Sequence, residues 1–357
     1  MNSLGSIFKV TSFGESHSAM VGCVVEGVPA GLVLDLEKIQ QAVDKRKTNQ
    51  TNFSSTRNEE DVVEMVSGVF EQKTLGTPIC ILIKNKDARS QDYDSLKQVY
   101  RPSHADYTYE QKYGFRDHRG GGRSSFRITA PLVAAGEIAH QFIQNHFSIE
   151  VNAYVSQIGT VALPENETLH WSDIEKNEFR CPHAATALKM QALVEETRLA
   201  GDTLGGVISC QIKNMPVGIG EPIFGKLNAQ LAQAMMSINT VKGFEYGDGF
   251  ANAALKGSES NDLFEFVDGK MKTKTNHSGG IQGGISNGED VFFRVAFKPI
   301  SSIQQPQETL DQANEKQTVH INGRHDVCAV PRAVPVVIAY ANMVLADLLL
   351  HSKIKKS

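Results

Sequence analysis

The sequence predicts an α+β protein, and three observations carry the prediction. Continuous or alternating β-rich runs and helix-spaced apolar stripes both occur, in mixed order along the chain. Two neighbouring runs, Val62–Phe70 and Ile79–Lys84, are joined through Gly76-Thr77-Pro78, which reads as an antiparallel hairpin rather than a βαβ unit. No internal repeat of fixed period and no low-complexity tract points to a solenoid or a fibre.

In chain order, strands are expected at Phe8–Phe13, Met20–Val28, Val62–Phe70, Ile79–Lys84, Ile149–Ile158, Gly206–Lys213 and Val291–Phe297, each rich in β-forming side chains. Asp35 is an N-cap residue ahead of Leu36–Arg46, where Leu36, Ile39 and Val43 share a helical face. Leu132, Ala135, Ile138, Phe142 and Ile143 make a longer stripe. Further helices are expected at Ala185–Ala200, Lys226–Ile238 and Val334–His351, the last apolar enough for an interior position. The polar stretches Lys47–Asn58, Asn85–Tyr100, Lys256–Gly280 and Gln304–Arg324 read as loops, and long loops in a folded domain tend to carry function.

The 357 residues can bury a large core, and length alone allows one domain or two. Lys and Arg number 36 against 40 Asp and Glu, a formal charge of −4, which disfavours a general nucleic-acid binder. The basic residues cluster instead: Lys45-Arg46-Lys47, Arg101, Arg116 to Arg127, and Arg324 with Arg332. Such clustering describes an anion site rather than a basic surface. Five singly placed cysteines, without a C-x-x-C pair, read as buried free thiols of a reducing compartment. The N-terminus lacks a signal-like apolar run, and no stretch approaches a membrane span, so a soluble cytoplasmic protein is expected.

The segment "RGGGRSSFR", Arg119 to Arg127, concentrates donors: Arg119, Arg123 and Arg127, the hydroxyls of Ser124 and Ser125, and a glycine backbone that a ligand can approach closely. It suits an oxyanion; alone it also fits a solvated loop or an RGG-type segment. In "TSFGESHSA" the strand ends at Gly14 and presents Ser16 and His17, an imidazole placed for proton transfer or a loop histidine bonded to backbone. "RPSHAD" supplies Arg101, His104 and Asp106, with His104-x-Asp106 able to pair imidazole and carboxylate. Metal-binding spacing such as H-E-x-x-H is missing, and no metal is expected. "GGIQGGISNGED" and "FKPISSIQQP" add further glycines, Lys298, Ser301 and Ser302 without a Walker or complete G-x-G-x-x-G pattern. For Arg324, His325, Asp326 and Arg332 a structural salt bridge is the default reading.

Taken in order, "FGESHS", "VEGVPAGL", "GTPI", "RSQDY", "RPSHADYTYEQKYGFRDHRGGGRSS", "SINTVKG", "GGIQGGISNGED", "KPISSI" and "RHDVCAVPRAVPV" resemble the chorismate synthase family, from Ile7 to about Leu350. The resemblance implies a β-α-β sandwich with helices between two antiparallel sheets, in a single domain of residues 1–357 with functional loops at about 47–58, 85–128, 256–290 and 304–330. It implies a shikimate-pathway lyase that removes phosphate from 5-enolpyruvylshikimate 3-phosphate by 1,4-anti elimination, with reduced FMN and no net redox change. It also implies a homotetramer, with flavin reduced by NADPH on the chain itself or by an external flavin reductase. By the same resemblance His17 protonates the departing phosphate, His104 protonates reduced flavin, and Asp326 stands beside it, with Ser16 and Ser125 in the catalytic set. Arg46, Arg101, Arg127 and Arg324 match substrate-gripping positions. Arg123, Ser124, Ser125, Asn239, Thr240, Gly283, Lys298, Pro299, Ile300, Ser301, Ser302 and Arg324 match flavin contacts. A flavin redox enzyme on another anionic substrate, or an RNA-binding protein, are the alternative readings.

The chain departs from the family pattern at several of these places. Ser18 and Ser103 stand where the motifs have glycine, Phe126 and Thr240 where they have alanine, Ile128 for glutamate and Val327 for proline. Asn52 stands where relatives often have arginine, and Thr48-Asn49 where many have Pro-Gly. Phe126 and Ile128 are expected to share a local apolar patch.

Overall fold

A computed structural model describes residues 1–47, 60–86, 96–164, 169–321 and 325–356. Two five-stranded antiparallel sheets enclose the helical layers. The first sheet takes, in spatial order, Ser3–Leu4, Lys9–Phe13, Met20–Glu26, Ile79–Lys84 and Glu64–Met65. The second takes Val241–Tyr246, Val291–Phe297, Gly206–Lys213, Glu150–Ile158 and Val161–Ala162. The helices are α1 (Leu36–Asp44), α2 (Asp106–Tyr113), α3 (Thr129–His146), α4 (Ala184–Leu199), α5 (Leu227–Met236), the single turn α6 (Gly257–Ser260) and α7 (Val330–Lys356).

α3 lies on the inner face of the first sheet, α7 on that of the second, and the two helices pack on each other. α1 leans on α3, and α5 on α7. The expected sandwich is therefore present. Each of Leu132, Ala135, Ile138, Phe142 and Ile143 is buried, and so is almost every α3 residue up to Ile143, as a helix covered on all sides requires. At Gly136 the helices approach so closely that a Cβ would lie 2.3 Å from the Cβ of Ala339, which only glycine avoids.

α1 is capped as expected, the Asp35 carboxylate accepting from the Lys38 amide at 3.0 Å, and Ile39 and Val43 are buried while Leu36 is exposed. α7 begins at Val330, four residues ahead of the expected Val334, and contains Pro335. Proline has no amide hydrogen for the carbonyl four residues back, that of Pro331. That carbonyl accepts from Arg180 Nη1 at 2.7 Å instead, and Arg180 Nη2 binds the Lys45 carbonyl, also at 2.7 Å. Val330–Ser352 is in fact long and apolar enough to cross a membrane, contrary to the sequence reading, but most of it is buried inside the protein.

Three expectations change. Val62–Phe70 is not one strand: Glu64–Met65 pairs with the strand Ile79–Lys84 as foreseen, whereas Val69–Phe70 turns back onto Lys73–Thr74. Helix α2 and the edge strand Val241–Tyr246 were not foreseen. The polar stretches 256–280 and 304–324 contain hairpins, Phe264–Val267 with Lys270–Thr273 and Gln307–Leu310 with Lys316–Val319. Cys23, Cys181, Cys210 and Cys328 are buried free thiols, and Cys80 is half-buried.

Candidate active site

The segment Arg119–Arg127 lies between α2 and α3, with short 3-10 turns at Gly122–Ser124 and, leading into α3, Phe126–Ile128. Elements from both halves of the chain converge on it. Gly120 has φ +78°, and a Cβ there would sit 2.4 Å from His17 Cε1, so the glycine lets the backbone rest against the imidazole. The Gly122 amide donates to Ser16 Oγ at 3.1 Å, and the same hydroxyl lies 3.1 Å from His17 Nδ1. Ser16 retains one hydroxyl hydrogen and one lone pair, so it can serve either protonation state of His17. Both residues are buried. Ser18 closes the same turn, its hydroxyl donating to the Glu15 carbonyl at 2.8 Å.

The arginines divide by role. Arg119 is exposed and paired with Asp117 at 2.7 Å, away from the cluster that its sequence position suggests. Arg123 donates to the carbonyls of Gly14 and Ser12 and to Ser12 Oγ at 3.0–3.1 Å, clamping the first sheet to the segment. Arg46, Arg127 and Arg332 form a buried group, 3%, 8% and 9% exposed. Arg127 donates to Asn85 Oδ1 at 2.7 Å and the Lys84 carbonyl at 3.0 Å, and pairs with Asp61. Arg46 donates from Nε to Thr129 Oγ1 at 3.0 Å and faces the other Asp61 oxygen at 3.7 Å. Arg332 pairs with Asp326 and donates to the Arg46 carbonyl at 3.1 Å. Both Arg46 and Arg332 lie over the Phe126 ring, each 5.6 Å from its centroid.

Among the described residues, three guanidiniums thus face two carboxylates. Burial pushes the Arg46 pKa down to about 9, with Arg332 and Arg127 adding repulsion and Asp61 opposing it. A charge held so unfavourably favours an incoming anion.

On the other side of the segment, Arg101 grips Asp106 with two N–H groups at 2.7 and 2.8 Å and donates to the Gly120 carbonyl at 3.0 Å. Asp106 also takes Arg116 at 3.1 Å, so the expected pairing of His104 with Asp106 is replaced by two arginine contacts. His104 bonds through Nδ1 to the Pro102 carbonyl and through Nε2 to Ser302 Oγ, each at 3.0 Å. A carbonyl only accepts, so Nδ1 carries the hydrogen and neutral Nε2 accepts from the serine. Burial, then Arg101, pushes the His104 pKa down to about 4.

Lys298 reaches Ser301 Oγ and the Ser103 carbonyl, and its own amide donates to the Thr240 carbonyl at 2.9 Å. Ser103 and Thr240 have φ of +58° and +71°, left-handed conformations that a β-branched threonine rarely adopts. At Ser103 that conformation is the one for which the family motif's glycine is suited. Asn239 Nδ2 donates to the Ser124 carbonyl at 2.8 Å, and Tyr109 of α2 reaches Ser124 Oγ at 2.8 Å. Ser125 accepts from the Arg127 amide at 3.2 Å. The Ile300 carbonyl accepts from Thr203 Oγ1 at 2.6 Å, and Pro299 packs on the Gly205 backbone.

Most of the expected residues therefore meet around one segment. Gly283 does not. With Gly284 it forms the two-residue turn between Ile281–Gln282 and Ile285–Ser286, beside Lys226 at the start of α5. Asn239 and Thr240 follow the other end of that ten-residue helix, about 15 Å away along its axis. Arg324, Asn52, Thr48 and Asn49 lie outside the described residues. Phe126 packs against the core and the two guanidiniums, and Ile128 is half-buried at the end of the same 3-10 turn. Asp61 and Tyr109 were not anticipated; Asp61 sits in an acidic run that carries no motif, with φ +46°.

Comparison with known proteins bears on the same residues. The family profile described as chorismate synthase matches residues 8–350. The chain is 52% identical over 354 residues, 99% of its length and 100% of the relative's, to a protein named chorismate synthase of Azobacteroides pseudotrichonymphae genomovar. CFP2. It is 51% identical to one so named from Christiangramia forsetii, over 99% of each chain. A solved structure titled "Crystal Structure of Chorismate Synthase" superposes with a TM-score of 0.77 at 30% identity, covering 96% of this chain and 91% of that one. With the profile spanning the first sheet from Lys9 onward, the arginine cluster and all but the end of α7, the chain belongs to the chorismate synthase family.

Proposed function

We propose that this chain catalyses the 1,4-anti elimination of phosphate from 5-enolpyruvylshikimate 3-phosphate to give chorismate, with reduced FMN required and not consumed. The lyase chemistry follows from the family. The observation that carries the reading is the convergence of Ser16–His17, the Arg46–Arg127–Arg332 group and Arg101, which acts on His104, on the segment 119–127. A substrate bearing two carboxylates and one phosphate needs concentrated, desolvated guanidinium charge, and this cluster supplies it.

In this reading Arg46 and Arg127, with Arg101 beside the segment 119–127, hold the substrate's anionic groups, and Arg324, outside the described residues, takes the same role by the family resemblance alone. His17, steadied by Ser16, delivers a proton to the departing phosphate, and Ser125 orients the backbone at Arg127. His104 is neutral at rest; an anion brought beside it raises its pKa and readies it as a proton donor. Asp326 is paired with Arg332.

The residues present fit a flavin. Asn239 Oδ1 is buried without a hydrogen-bond partner among the described residues, an acceptor that awaits a donor. Burial, helped by Lys242, lowers the Lys298 pKa, so a phosphate there would relieve an unfavourable charge. Asn239, Thr240, Lys298, Ser301 and Ser302, with Ser124, would hold FMN. When bound and reduced, it supplies the electron density that lets an unactivated allylic phosphate leave. Reduction by NADPH or by an external reductase, a cytoplasmic location and a homotetramer belong to the same proposal. Exposed Phe264 and Phe266, on one hairpin, favour assembly.

The test is an anaerobic assay with substrate in excess over reduced FMN. Many turnovers of phosphate release are expected while the flavin stays reduced, and His17→Ala should be slower by about 10²–10⁴. Oxidation of one flavin per product would overturn the reading.

A further inference from the structure

Two buried guanidiniums of like charge, Arg46 and Arg332, lie over one aromatic ring, that of Phe126. Like charges repel, and with both residues under a tenth exposed little water separates them. Their ion-pair carboxylates differ, Asp61 for Arg46 and Asp326 for Arg332, although Asp326 attracts Arg46 as well. The ring meets both. Its face is electrostatically negative, and it attracts a desolvated guanidinium stacked over it. The backbone adds to this: the Phe126 carbonyl faces Arg46 Nη2 at 3.5 Å and accepts from Thr129 Oγ1, which itself receives Arg46 Nε.

We propose that Phe126 is a positioning residue for substrate, whose ring holds Arg46 and Arg332 side by side as one anion-receiving surface. The proposal rests on the functional reading above. Leucine would fill the volume without the π face; tyrosine would keep the face. Alanine, the family's residue, would leave the two cations to be separated by other means.

The experiment is calorimetric titration of 5-enolpyruvylshikimate 3-phosphate into the full chain saturated with oxidised FMN, where no turnover occurs. Phe126→Leu is expected to bind about 5- to 30-fold more weakly than the parent, the range for losing desolvated cation–π contacts. Phe126→Tyr is expected to stay within about threefold. Thermal unfolding of each variant shows whether it folds, and Phe126→Met, with the same expected loss, replaces a leucine variant that does not. Undiminished affinity in Phe126→Leu, or an equal loss in Phe126→Tyr, overturns the inference and points to packing alone. A parent chain that fails to bind the substrate overturns the functional reading itself.

Discussion

At neutral pH His104 is uncharged, since burial and the Arg101 guanidinium hold its pKa at about 4 against an ordinary 6.5. In the unfolded chain the same imidazole takes a proton near 6.5. Between the two values the unfolded state binds more protons, so stability falls as pH drops from 6.5 toward 4. Above 6.5 the residue makes no difference of this kind. His104→Gln should flatten that acid limb by on the order of 2 kcal/mol, read from urea midpoints at pH 7 and 4.5. An unchanged limb would mean that His104 is not buried neutral. At this scale the sequence disclosed residue types but not partners. The clustering of the arginines was legible in the sequence, and the roles proposed for His17 and His104 come from the family motifs. That Arg119 would spend its charge on Asp117, or that Asp106 would belong to Arg101 and Arg116 rather than His104, depends on which side chains the fold brings within hydrogen-bond reach. No local pattern encodes that. The same holds for Asp61, which meets Arg46 and Arg127 only because the first sheet places it there.

Among the elements, those with a regular apolar period were readable, and those held by polar contacts were not. The stripe of α3 has both length and period, and its helix was expected. Helix α2, "DYTYEQKY", has no apolar face; Arg101 and Arg116 on Asp106, and Arg116 on Glu110, hold it instead. The strand Val241–Tyr246 is hidden by Gly243, where its register against Val291–Phe297 shifts. The early start of α7 was obscured by Pro331 and Pro335, since the side chain that accommodates the second proline, Arg180, lies 151 positions from the carbonyl it satisfies. The contact between α3 and α7 allows a sharp test. Gly136→Ala favours helix by propensity, by roughly 1 kcal/mol. The added methyl nonetheless meets Ala339 at less than van der Waals distance, from its backbone as well as its Cβ. Overpacking should win, with a net loss of about 1–3 kcal/mol in denaturant unfolding. Ala339→Gly in the same chain should recover part of it. A stabilised Gly136→Ala would show that the two helices slide apart freely.

Across the whole molecule, the two ends of the chain are joined by one carboxylate. Asp347 of α7 accepts from the backbone amides of Ser6, Ile7 and Phe8 at 2.7–3.1 Å, and the Ser6 hydroxyl meets His351 at 2.6 Å. Three amides on one anion are a compact cradle for negative charge, and without it they would be left unsatisfied beside the core. Asp347→Ala should therefore cost about 2–4 kcal/mol of global stability, measured by urea unfolding, with the catalytic residues untouched. A loss below about 0.5 kcal/mol would mean that water replaces the carboxylate.

The segment 119–127 has a related consequence for how the chain reaches its native state. Its contacts close loops of very different length: Arg101 to Gly120, Ser16 to Gly122, Asn239 to Ser124, Arg332 to Phe126. Each closure costs chain entropy before it returns any contact energy, and the longest demand that both sheets already be docked on α3 and α7. The proposed anion site is thus a product of the completed topology. A fragment that holds either sheet alone lacks at least one wall of it, and binding competence in this chain is acquired at the end of folding rather than by degrees.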